Sequence, residues 1–121
     1  MAETSRLLQF GAHQKALRLF DQVVADLGAM ARDPACQRLV SQQIASADSI
    51  ASNSEEGYGR GSKKDYAHFL IIARGSAQET RGRCGRLKHW LPPEVIAQRT
   101  ALWDEIIGIL TRDYSAPKIA G

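Results

Sequence analysis

Residues 52–64 read SNSEEGYGRGSKK: three glycines alternate with Tyr58 and Arg60, and a Ser-Lys-Lys follows. Glycine-rich loops that carry a lysine hold phosphates in nucleotide-binding proteins, so this stretch is the first candidate for chemistry. Its spacing argues against that role. A Walker loop needs G-x-x-x-x-G-K-[ST], and counting from Gly57 the second glycine position holds Ser62. The dinucleotide fingerprint G-x-G-x-x-G ends on Ser62 when read from Gly57 and on Lys64 when read from Gly59. Both motifs follow a strand, whereas residues 39–56 have a helical apolar period. The stretch reads better as a helix stop and a helix start. Gly57 suits the left-handed position that ends a helix. Ser62 can cap the next one, with Asp65 where a capping-box acid sits. Glu55 and Glu56 oppose the dipole of the helix they close, which Arg60 or the following helix N-terminus can offset.

Other catalytic constellations are missing from the sequence. A di-iron bundle needs Glu-x-x-His twice with two further glutamates, and the nearest spacing is a single Asp65-x-x-His68. His13 and His89 have no carboxylate at that offset. No G-x-S-x-G elbow surrounds Ser62 or Ser76. Cys84 falls in an apolar seam and reads as a small core residue. His13 reads as a surface histidine, and Trp90 and Trp103 read as packing anchors. The expectation is a protein with no catalytic, cofactor or metal residues, and therefore not an enzyme.

The elements that position these residues are helical throughout. Ala16, Phe20, Val23, Leu27 and Met30 recur at helical steps, as do Val40, Gln43, Ala47, Ile50 and Ser54. The same holds for Tyr66, Leu70, Ala73, Ala77, Thr80, Cys84, Leu87 and Leu91, and for Ile96, Thr100, Trp103, Ile107, Leu110 and Tyr114. No segment alternates as a strand does. Gly28 with Ala31–Pro34, the Gly57–Gly61 stretch, and Pro92-Pro93 punctuate the chain. They divide it into helices over about residues 7–28, 35–56, 63–90 and 93–113, with a frayed tail at 115–121. Short connections favour antiparallel neighbours, so the expected fold is all-α, a single up-down-up-down four-helix bundle.

A chain of 121 residues is one domain by length, and 44% hydrophobic with 24% charged residues is ordinary for a globular protein. No apolar run approaches the ~20 residues of a membrane span. The N-terminal MAETSRLLQF contains Glu3 and no sustained apolar segment, which argues against a secretory signal. Cys36 and Cys84 are too few for a disulfide framework or a zinc site. A cytoplasmic protein with reduced thiols and no membrane partner is expected.

Charge is uneven. Residues 60–89 hold eight Lys/Arg against two Asp/Glu, while both flanks are slightly acidic. The eight are Arg60, Lys63, Lys64, Arg74, Arg81, Arg83, Arg86 and Lys88. Three readings stay open: a solvated edge, intersubunit partners for the acidic flanks, or a phosphate-binding stripe. Aromatic residues beside the stripe are sparse, so any nucleic-acid contact is expected to be phosphate-driven rather than base-specific. Opposite the apolar seam of the third helix lie His68, Gly75, Gly82 and His89 at seven-residue steps. Each glycine costs a helix about 1 kcal/mol relative to alanine, a cost that close approach of a second helix would explain. This face is therefore the candidate oligomer interface, with tolerated drift as the alternative.

One resemblance is carried by Gln43–Ile50, then Asn53, Glu56-Gly57, Arg60 and Ser62, then Tyr66, Phe69-Leu70, Ala73, Gly75-Ser76 and Glu79. In that order these residues resemble a bacterial family of four-helix bundles, first known from proteins encoded in intervening sequences of large-subunit ribosomal RNA genes. The family includes the accessory variability determinant of diversity-generating retroelements. The resemblance covers most of the second and third helices. It implies a ring-like homopentamer without known catalysis, and RNA, DNA or a nucleic-acid enzyme as partner in the retroelement branch. It marks Ser49, Asn53, Glu56, Gly57, Arg60, Ser62, Ser76 and Glu79 as motif residues. Two departures stand out: Ala45-Ser46 replace an arginine pair common in relatives, and Asn53-Ser54-Glu55-Glu56-Gly57 replaces NIAEG. The first weakens the case for nucleic acid on the second helix. The function expected is a non-catalytic adaptor associated with nucleic acid. The alternatives are a purely structural assembly or protein scaffold, and, if the core holds a cavity, a small-molecule-binding bundle.

Overall fold

The computed structural model describes residues 11–60 and 62–115, with side chains placed through residue 112. Among these residues there are four α-helices and no strand. They are α1 (Gly11–Leu27), α2 (Gln37–Tyr58), α3 (Lys63–Arg86) and α4 (Pro93–Ser115). Short 3-10 turns at Gly28–Arg32 and Leu87–His89 continue α1 and α3. The expected frayed tail lies almost wholly outside the described residues. α1 packs on α2 and α4, and α3 packs on the same two helices.

The core follows the helical periods. Leu19, Leu27, Ile50, Leu70, Leu87, Trp103, Ile106 and Leu110 are fully buried, each contributing about 1.5–3 kcal/mol by leaving water. The seams expected for α2 and α3 are the buried ones, from Val40 to Ser54 and from Tyr66 to Leu87. Two seams are rotated. α1 buries Ala12, Ala16, Leu19, Val23 and Leu27, while Phe20 and Met30 sit on its shoulder. α4 buries Leu102, Trp103, Ile106 and Leu110, with Ile96 and Ile107 on the shoulder. Both helices carry apolar residues over a wide arc, so packing against the neighbours selects which part faces inward.

α2 and α3 pack closely and bury small residues in their seams, Ala47, Ser54 and Gly57 on α2 and Ala73, Ala77 and Thr80 on α3, with Gln43 bonded to Thr80. Residue pairs across this contact run in opposite senses, as do Lys15–Glu105 and Asp26–Arg99 across α1 and α4. Gly57 does not take the left-handed helix stop expected of it. It lies inside α2, and Gly59 follows the helix at φ −79°. The reason for glycine at 57 is space: a Cβ there would stand 3.2 Å from Phe69 Cβ and 3.4 Å from the Tyr66 carbonyl oxygen.

Candidate functional site

The motif residues of the second and third helices form one polar ladder between α2 and α3. Asn53 Nδ2 donates to the Ser49 carbonyl at 2.8 Å and to Ser49 Oγ at 2.9 Å. The Ser49 and Ser76 hydroxyls are 2.9 Å apart, and so are those of Ser46 and Thr80. Gln43 Nε2 donates to the Thr80 carbonyl at 2.9 Å. Arg83 closes the ladder. Its Nη1 donates to Ser46 Oγ at 2.9 Å and to Gln43 Oε1 at 3.1 Å, and its Nη2 to Glu79 Oε2 at 2.8 Å.

The turn between the helices is stitched in the same way. Arg60 Nη2 bonds Glu56 Oε1 at 2.7 Å, and its guanidinium lies 5.0 Å from the Phe69 ring centroid. Ser62 is the N-cap of α3, its hydroxyl accepting from the Asp65 N–H at 3.1 Å. Ser49 and Ser76 join α2 to α3, Gly57 lets them approach, and Glu56, Arg60 and Ser62 shape their turn, while Asn53 braces Ser49 within α2 and Glu79 braces Arg83 within α3. A helix, not a strand, precedes the glycine-rich loop. These motif residues are engaged in packing, capping and hydrogen bonds.

The basic stripe is split by the fold. Arg83 is only 6% exposed and its charge is turned inward, so it does not stand with the exposed cations. Arg81 Nε bonds Asp104 Oδ1 at 2.6 Å, and Arg74 is half-buried and engaged within the chain. Lys63, Lys64, Arg86 and Lys88 remain exposed and have no ion pair within the described residues.

On the outer face of α3, His68, Gly75, Gly82 and His89 are all exposed. Nothing lies within 4 Å of a Cβ built at Gly75 or Gly85, and Gly82 meets only Arg86 Nη1 at 3.6 Å. Among the described residues no contact accounts for glycine at Gly75 or Gly85. Ile71 and Ile72 are 51% and 38% exposed on the same helix. Sequence reasoning left these two out of the face, although Ile71 stands one helical turn before Gly75.

His13 is the clearest correction. It is not a surface residue but 4% exposed, its Nε2 2.8 Å from Glu55 Oε2 between α1 and α2. Trp103 is buried as expected, and Trp90 packs half-buried against the core. Burial raises the Cys84 thiol to about 11, with the Asp26 charge adding and Arg99 opposing. Burial likewise raises Cys36, helped by Asp33. Arg99 and Asp26 form a two-pronged bond at 2.6 and 2.9 Å, which holds the Arg99 guanidinium more firmly protonated. Beside them a cavity of about 10 Å³ lies between Val23, Leu87 and Trp103. That is room for about one water and not for a substrate. Among the described residues no group of three or more His, Cys, Asp or Glu could hold a metal, and no helix is long and apolar enough to cross a membrane.

The fold and this interhelical stitching define a class, the small all-α helical bundle with a polar α2–α3 seam. The chain matches the family described as 23S rRNA-intervening sequence protein over residues 9–111, and it belongs to that family. Comparison with curated proteins and with solved structures gives no match.

Proposed function

We propose that this chain is a non-catalytic, self-assembling adaptor. Up-down-up-down four-helix bundles join into a ring, pentameric as the family resemblance implies, and associate with RNA, DNA or a nucleic-acid enzyme in the cytoplasm. The observation that carries this reading is the outer face of α3. Ile71 and Ile72 are exposed there beside glycines over open space. Glycine in a helix interior costs about 1 kcal/mol, which an approaching helix can return through close packing. A complementary surface exists on α1, where Leu17 and Val24 are 43% and 41% exposed one heptad apart. α1 and α3 each pack on both α2 and α4, which supports placing them across the bundle with outer faces pointing away from each other. A contact between α3 of one copy and α1 of the next is head-to-tail, the kind that closes into rings.

Light scattering tests the assembly. Gly75→Leu, Gly82→Leu and Ile71→Asp are expected to lower the particle mass while helix content persists. An unchanged mass in all three rejects this face as the interface. The scaffold reading without nucleic acid is favoured by a separate observation: Arg81 and Arg83 are spent on partners within the chain. Fluorescence anisotropy with single-stranded RNA and duplex DNA separates the two readings. The adaptor reading requires binding that weakens steeply with salt.

A further inference from the structure

Among the described cations some are ion-paired within the chain and others are exposed without such a pair, the latter including Arg18 on α1 and Lys63 and Lys64 at the start of α3 as well as four near the C-terminal end of α3. Lys15, Arg60, Arg81, Arg83 and Arg99 are ion-paired within the chain. Arg32, Arg38, Arg86 and Lys88 are exposed with no carboxylate partner among the described residues. Arg32 and Arg38 lie far outside the basic stretch of the sequence, yet the register of α2 on α3 brings Arg38 to the C-terminal end of α3. The α2–α3 bonds fix the register, Ser49 to Ser76, Gln43 to Thr80 and Gln42 to Arg83. Continued by about one helical turn, the same register sets Arg38 level with Arg86 and Leu87. Arg32 ends the 3-10 turn that packs on the start of α2. Lys88 sits in the turn that ends α3, and Arg86 Nη1 lies back toward Gly82.

Few acids oppose this cluster. Asp33 Oδ1 already accepts from the Ala35 N–H at 2.9 Å, and Glu94 occupies the first turn of α4, where the helix dipole favours it. Like charges kept together and unpaired are unfavourable in the free protein, and an anionic partner removes that cost. The four are spread over a bundle end rather than converging on one point, which fits an extended polyanion. Three of them are arginines, whose planar fork suits phosphate.

We infer that this bundle end, formed by Arg32, Arg38, Arg86 and Lys88, binds the phosphodiester backbone of a nucleic acid. The inference rests on the adaptor reading above and places its contact surface. The test is anisotropy of a fluorescent 20-nucleotide RNA, and of a duplex DNA of equal length, across a salt series with the full chain. Replacing all four residues by Gln is expected to weaken binding at least about tenfold near 0.1 M salt, and to lower the salt slope by about three to four. The double variant Arg38→Glu/Lys88→Glu keeps the test open if the fourfold variant misfolds, and is expected to weaken binding by a similar factor. Lys63→Gln/Lys64→Gln, at the other end of α3, is the comparator and is expected to lose less. If the wild type binds and the bundle-end variants keep its affinity, or lose no more than the comparator, the patch is overturned and the adaptor reading stands. If the wild type binds neither probe even at low salt, the adaptor reading falls and the patch with it. Equal affinity for polyglutamate of matched length would assign the patch to an acidic protein and overturn the inference.

Discussion

Arg83 shows how one side chain can leave the role its sequence position suggests. Its neighbours in sequence are basic, but its guanidinium has five donors and finds Ser46, Gln43 and Glu79 within reach. Truncation to alanine strands buried acceptors, so Arg83→Ala should cost about 1–3 kcal/mol in urea unfolding. Arg83→Lys should recover little of it, because an ammonium cannot span the same acceptors. Cys84 makes a second residue-scale prediction. Its thiol is raised from 9.0 to about 11, so at pH 8 it carries about a hundredfold less thiolate than an unperturbed cysteine. Native-state labelling with a maleimide should be slower by at least that factor than in the urea-unfolded chain. The folded state favours the neutral thiol. Its stabilising contribution is therefore present below pH 9 and is lost as pH rises from about 9 to about 11.

At the scale of elements, two kinds of helical glycine separate cleanly. Gly57 is buried in the α2–α3 contact, and a larger side chain there must move Phe69 or the Tyr66 backbone. Gly57→Val should destabilise the chain by about 1–3 kcal/mol through overpacking. Gly75 faces open space, and alanine there gains helix propensity without a clash. Gly75→Ala should stabilise a dissociated chain by up to about 1 kcal/mol, read as a shift in urea midpoint. Ser62→Ala removes the cap of α3 and should cost about 1 kcal/mol. The contrast also explains the rotated seams: α1 has Leu17, Leu19, Phe20, Val23 and Val24 close together. Periodicity marks a broad apolar arc, but only the neighbouring helices choose the strip within it.

For the whole molecule, exposed isoleucines over a glycine face and an unpaired basic end are two surfaces with different consequences. If copies of the chain meet through the first, folding and assembly are linked by mass action. The melting temperature should then rise with protein concentration, and Gly75→Leu should abolish that dependence. Salt should act differently on the two surfaces. It should weaken nucleic-acid binding steeply while leaving an apolar interface nearly unchanged.

The sequence by itself determined the helical class, the places where the helices break, the seams of α2 and α3, and the Ser62 cap. Each depends on local periodicity or on contacts a few residues apart, which a linear chain displays directly. The family motif was legible as an order of residues, but not as a ladder, because the bonds that cross from α2 to α3 join residues 27 to 40 positions apart. Only the tertiary structure decided that His13 is buried against Glu55, that Gly57 serves close packing, and that Arg83 turns inward. It alone brought Arg38 level with the end of α3. Burial and charge pairing depend on what the fold places opposite a residue, and that is set by the packing of one helix on another.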